Sequence, residues 1–356
     1  MRTAQSALFM AAVFLGFVVP TVGQRPASVP AAGPTRPEPR LANITQLTSG
    51  GENAEAYFSP DGQHLIYQHT DDPTSPTSCD QIYTMRVDGS EKRKISNGGR
   101  TTCGYFSPDG QSLLYASTHL ASPNCPPKPS FEKGYVWPIY GSYDIFHARL
   151  HGSGLQRLTS TPGYDAEATV GPNGRIVFTS VRDGDMEIYS MNGEGSDVRR
   201  LTHRAGPDGG PWFSADGQQV VFRGHEIKPG SELDDYRTLL KGELWRPTTL
   251  EIYVMNADGG NLRQVTHLGG ANFAPFFHPD GKRIIFSSNH QDPRGRNFDI
   301  YLINVDGTNL ERITYGSEFD GFPMFSPDGR KLVFASNRNE KAGGETNIFV
   351  ADWVGN

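Results

Sequence analysis

Apolar and polar positions alternate along this chain in one recurring phrase. Residues 57–67 read YFSPDGQHLIY: two aromatics, a polar turn, then an apolar run. The phrase returns as YFSPDGQSLLY, WFSADGQQVVF, FFHPDGKRIIF and MFSPDGRKLVF, with a worn copy, TVGPNGRIVF, at 169–178. Pro fixes φ and Gly tolerates positive φ, so Pro-Asp-Gly between two β-rich runs predicts a tight hairpin. The run after the turn is apolar at successive positions, as in a strand packed on both faces. A third strand follows, reading EIYSMNGEGS, EIYVMNADGG or DIYLINVDGT, and then a short fourth, RLT, QVT or RIT. No stretch carries a helical period of useful length.

Phe58, Phe106, Val170, Phe213, Phe277 and Phe325 anchor the six copies, at separations of 48, 64, 43, 64 and 48 residues. The two long intervals hold insertions near 119–143 and 224–249; without them the period approaches that of a four-stranded propeller blade. The prediction is an all-β, six-bladed β-propeller spanning 41–356. Its ends predict circular closure. The sixth copy stops at its third strand, TNIFVADW, while ANITQLTSGG at the start is a fourth strand without the other three. Residues 43–48 are therefore expected to pair with 347–353, covering an otherwise open edge.

Before the ring, Arg2, the apolar run Ala7–Val19 and the small residues Thr21-Val22-Gly23 have the layout of a secretory signal over 1–23. Residues 24–40 hold five prolines among small residues, the composition of an extended tether. The expected location is the periplasm or the exterior, with no membrane span after cleavage. Net charge is −6 and no basic run occurs, which argues against nucleic acid as a partner. Cys79, Cys103 and Cys125 are odd in number; one disulfide is expected, with its connectivity open.

The repeat FSPDG…IYVMNADGG…LT resembles the WD40-like repeat of TolB-type propellers over the whole stretch from Leu41 onward. The resemblance implies the propeller fold and, among its members, binding and scaffold proteins, peptidase propellers and sugar-lyase propellers. The separate N-terminal α/β domain of TolB itself is not expected here. A serine hydrolase is disfavoured, because G-x-S-x-G is absent from the sequence.

Candidate chemistry gathers on the rim opposite the Pro-Asp-Gly turns. Five residues before each anchor stand Asn53, Thr101, Asp165, Asp208, Asn272 and Asp320, with Glu55 and Glu167 two residues further in. Such a ring at the channel mouth suits Ca²⁺, an ammonium or a hydroxyl-rich ligand; side-chain to backbone turns are the competing reading. His69, His119, His225 and His290 end second strands. Of these, His119, His225 and His290 are candidates for a transition-metal or general-base site. Arg182 and Arg338 take the same place in the other blades, each expected to bond the residue opening its third strand, Glu187 and Asn347. The insertions contribute Trp137 and Trp245, aromatic faces for a protein, peptide or glycan. Two classes follow: a binding or scaffold propeller, or a metal-dependent lyase on uronate oligosaccharides resembling oligogalacturonate lyases. The acidic ring favours binding, since Asp165, Asp208 and Asp320 repel an anionic sugar.

Overall fold

The computed structural model describes residues 37–129, 131–317 and 319–355. The expected signal segment and residues 24–36 of the expected tether lie outside them.

Six four-stranded antiparallel sheets form the blades of a ring. In blade 1 the strands are Glu52–Phe58, His64–Thr70, Gln81–Arg86 and Arg93–Lys94, running from the channel outward. Blades 2 to 5 repeat this order, starting at Thr101–Phe106, Asp165–Val170, Asp208–Phe213 and Asn272–Phe277. Blade 6 takes Asp320–Phe325, Lys331–Ser336 and Asn347–Trp353 from the end of the chain and Leu41–Gln46 from its start. Leu41 pairs with Trp353 and Gln46 with Phe349, so the expected closure is present. Just before this strand, Glu38 bonds Arg338 at 3.2 Å and Arg40 bonds Glu311 at 2.7 Å.

Each copy of the repeated phrase is held by the same hydrogen bonds. At each hairpin the Asp or Asn side chain accepts from the backbone two residues on, as Asp61 does from Gln63 at 3.0 Å and Asp328 from Arg330 at 3.1 Å. The hydroxyl closing each fourth strand accepts from a third-strand backbone N–H in all six blades. Ile82 donates to Ser96 at 3.0 Å, and Ile145, Ile188, Ile252, Ile300 and Ile348 donate to their threonines at 2.8–2.9 Å. The second strands, buried over their apolar runs, form the core between blades.

The insertions depart from the repeat. The second contains an 11-residue helix, Ser231–Lys241, about three turns where the sequence pattern predicts no helix of useful length. Leu233, Tyr236 and Leu239 bury its inner face, with Glu232 and Asp234 in the first turn, where acidic groups suit the helix dipole. Each insertion also gives a two-residue strand, Trp137–Pro138 and Leu244–Trp245, and these pair with each other. Cys79 and Cys125 form a disulfide that ties the first insertion to blade 1, leaving Cys103 as a free thiol. Among the described residues no helix is long and apolar enough to cross a membrane.

Candidate functional site

The ring of short polar residues does not line the channel. Asn53, Thr101, Asp165, Asp208, Asn272 and Asp320 are all buried. In each, the backbone N–H donates to the carbonyl just before the third strand of the preceding blade: Thr346, Asp80, Tyr143, Met186, Leu250 and Phe298, at 2.8–3.2 Å. These residues staple blade to blade. The three carboxylates each carry an arginine instead of sharing a cation. Arg182 holds Asp165 through two bonds of 3.0 Å, Arg338 holds Asp320 through two of 2.9 Å, and Arg204 pairs with Asp208. Burial pushes all three carboxyls up, Asp208 to about 7, while hydrogen bonds and the arginines pull them back. The expected partners of Arg182 and Arg338 are corrected accordingly: Glu187 bonds Arg200 and Thr202, and Asn347 bonds Glu345.

The histidines belong to the same device. In every blade an imidazole or guanidinium lies over the aromatic of the third strand. His69 meets Tyr83 at 5.4 Å, His119 meets Phe146 at 4.5 Å and His290 meets Tyr301 at 4.6 Å. Arg182 lies 5.0 Å over Tyr189, Arg204 3.9 Å over Tyr253 and Arg338 5.7 Å over Phe349. Where the staple residue is Asp, arginine fills the slot; where it is Asn or Thr, histidine does. His119 bonds Ser117 at 2.8 Å, His290 bonds Ser288 at 3.0 Å, and His225 bonds Glu232 at 3.0 Å, each within its own blade or insertion. Burial lowers the pKa of His119 and His290. Among the described residues no three His, Cys, Asp or Glu side chains converge to hold a metal. The proposed Ca²⁺ and transition-metal groupings are thus not brought together.

What faces the channel is the residue two positions further along each first strand. Glu55, Cys103, Glu167, Gly210, Ala274 and Phe322 all have left-handed backbone, with φ between 50° and 61°. Each sits in a bulge that shifts the pairing register of its strand. All six line one cavity of about 60 Å³. Left-handed conformation in five non-glycine residues is uncommon and costs free energy, and such strain concentrates at functional sites.

The cavity is divided chemically. Ala274, Phe322, Phe273 and Trp137 make an apolar wall, opposite Glu55, Cys103, Glu167 and Arg223. Glu167 accepts from Arg223 and Thr179 at 2.6 Å and from the Gly210 backbone at 2.8 Å. Those partners outweigh burial and hold its carboxyl below the usual value. Gly210 is glycine for a steric reason as well: a Cβ there would meet the Arg223 guanidinium at 2.3 Å. Glu55 is the contrast. Burial raises its carboxyl to about 7, the Cys103 thiol stands beside it, and its buried Oε2 has no hydrogen-bond partner among the described residues. Burial also pushes the Cys103 thiol well up, so it is a neutral donor rather than a nucleophile.

The floor is a plug of rings: Trp212 meets Tyr57, Tyr105 and Phe276 edge-on at 4.7, 4.9 and 5.2 Å. The roof is the joined insertions. Trp137 packs edge-on against Trp245 at 5.7 Å; Trp245 is buried with Tyr236, Tyr143 and Ile139, and Arg223 lies 5.4 Å from its ring. Of the two tryptophans, Trp137 reaches the chamber, while Trp245 holds the roof together. Below the plug, a second cavity of about 260 Å³ opens between the hairpins, ringed by Pro60, Pro108, Pro172, Pro279 and Pro327.

Sequence reasoning reached Glu55, Glu167 and Trp137, and missed Cys103, Gly210, Arg223, Ala274 and Phe322 as a set. The signal was positional: all but Arg223 stand three residues before an anchor.

A profile of the TolB β-propeller domain matches residues 244–356. The ring is a TolB-type propeller. A TolB homolog of Chlorobium chlorochromatii is 32% identical over 186 residues, covering 44% of this chain and 42% of that protein. An uncharacterized protein of Agrobacterium fabrum is 30% identical over 148 residues, covering 40% of this chain and 46% of that protein. The chain thus spans less than half the length of these relatives. Among solved structures, a putative TolB from Agrobacterium tumefaciens aligns with TM-score 0.55 and 20% identity over 87% of this chain and 96% of its own. An oligogalacturonate lyase in complex with manganese aligns with TM-score 0.50 and 14% identity, over 88% and 95%. At these identities the solved structures show the propeller fold alone.

Proposed function

We propose that this TolB-type propeller is an exported binding module, periplasmic or secreted, that holds a protein or peptide at its capped rim and takes one group of it into the chamber. The observation that carries this is the roofed cavity of about 60 Å³ with an apolar wall on one side and the unpartnered Glu55 on the other. A water-sized group needs roughly 10–15 Å³, so about four to six such groups fit: the end of a side chain rather than a sugar ring. Export is supported by the Cys79–Cys125 disulfide, which persists in an oxidising compartment.

The test is selection of displayed random peptides on the purified protein, followed by titration against wild type and Trp137→Ala. Peptides that bind wild type and lose most of their affinity on the variant are expected. Selections that return nothing, or peptides indifferent to Trp137, overturn the proposal.

A further inference from the structure

We infer that the chamber recognises a protonated primary amine, the tip of a lysine side chain or a chain N-terminus, with Glu55 as its counterion. This rests on the binding-module reading and names the group that enters. Three separate observations converge. The cavity is enclosed on three sides, by the ring plug, the tryptophan roof and the bulged strands. The buried Oε2 of Glu55 has no partner, and a buried polar atom left without one is costly until a donor arrives. The opposite wall is aromatic, and an ammonium is attracted to aromatic rings as well as to a carboxylate.

The neighbouring charges select among cations. Glu167 is spent on Arg223, Thr179 and Gly210, so it adds negative potential without offering a free acceptor. A hard divalent ion needs six or more oxygens, and the chamber offers the Glu55 carboxylate beside a thiol, with Glu167 already taken. A guanidinium is wider, planar and best held through both carboxylate oxygens, a poorer fit to a chamber of about 60 Å³. A compact ammonium fits the volume and the acceptor count. The charged and titratable groups that bear on Glu55 are Cys103, Glu167, Asp80 and Arg223. As Glu55 ionises near pH 7, an amine should bind more tightly.

The experiment titrates the full-length ring with n-butylammonium chloride, followed by NMR shifts of the tryptophan indoles, with n-butanol and sodium butyrate as controls. Saturable binding of butylammonium alone is expected, tightening from pH 5.5 to pH 8 and weakened about tenfold or more in Glu55→Gln. Equal binding of butanol, an affinity flat across that pH range, or full affinity in Glu55→Gln overturns the inference. The wild-type pH profile tests the same point should the variant fail to fold. Selected peptides that bind at the rim while butylammonium leaves the indoles unmoved would sink the amine and spare the module. Butylammonium binding in a protein that selects no peptide would do the reverse.

Discussion

The two ends of the channel are built from the same six strands and differ in almost everything else. The lower mouth is near-symmetric, ringed by proline in five blades and alanine in the sixth, with Phe58, Phe106, Phe213, Phe277 and Phe325 around it. The six left-handed positions of the upper chamber share no such symmetry. Glu55 is raised and unpartnered, Glu167 lowered and paired, Cys103 a thiol, and the remaining three positions carry no charge. Symmetry marks what the ring needs in order to close, and its loss marks where one blade has been given a task the others lack.

The most severe way to break the comparison removes what both ends share. Deleting residues 41–48 strips the outer strand from blade 6, and cooperative unfolding in denaturant should be lost altogether. A truncated ring that unfolds like the intact one would show that closure does not hold the molecule together. Less drastic changes should act on the upper end alone. Trp245→Ala empties the middle of the roof and should cost about 3–5 kcal/mol of roof stability. It should be read as faster proteolysis of the two insertions, with the blades protected as before. Replacing Cys79 and Cys125 by Ser releases a 46-residue separation and should cost roughly 4 kcal/mol, read as a fall in Tm.

The next effect is electrostatic. Because burial raises the Glu55 carboxyl from 4.5 to about 7, the unfolded chain ionises first, and the ring loses stability as pH climbs between those values. Glu55→Gln should therefore melt above wild type at pH 8, by up to about 3 kcal/mol, and near it at pH 4.5. Parallel melting curves at both pH values would mean that Glu55 is solvated. The smallest effect belongs to the symmetric end. Pro108→Ala should cost about 0.4–1 kcal/mol and leave butylammonium binding untouched.

The architecture was legible because a repeat multiplies weak signals. One Pro-Asp-Gly hairpin says little, but six at near-equal spacing, with a fourth strand missing at one end and stranded at the other, imply a closed ring. The site was less legible, and the bulges explain why. Asn53, Asp165 and Asp208 stand out in sequence as short oxygen-bearing residues, yet they are buried blade-to-blade staples. The chamber layer behind them shares no residue type: glutamate, cysteine, glycine, alanine and phenylalanine share only a left-handed backbone, which sequence does not display. Arg182 was matched to Glu187 by proximity along the chain, whereas its partner Asp165 lies across the hairpin on the adjacent strand. The pairing of Trp137 with Trp245 joins two-residue strands more than a hundred positions apart, too short to leave a pattern.

Closure also sets a clock. Asn43 and Asp352, which bond across the seam, are 309 residues apart. At about 5–20 residues per second, ribosomes separate them by roughly 15–60 s. For that interval the earliest-made strand has no neighbour, and no quantity of finished blades can supply one. A chain cut short anywhere upstream of Trp353 keeps a raw edge that another chain or a protease can find. Closure thus depends on the far end of the ring: only a chain read through Trp353 can seat Leu41–Gln46 in blade 6.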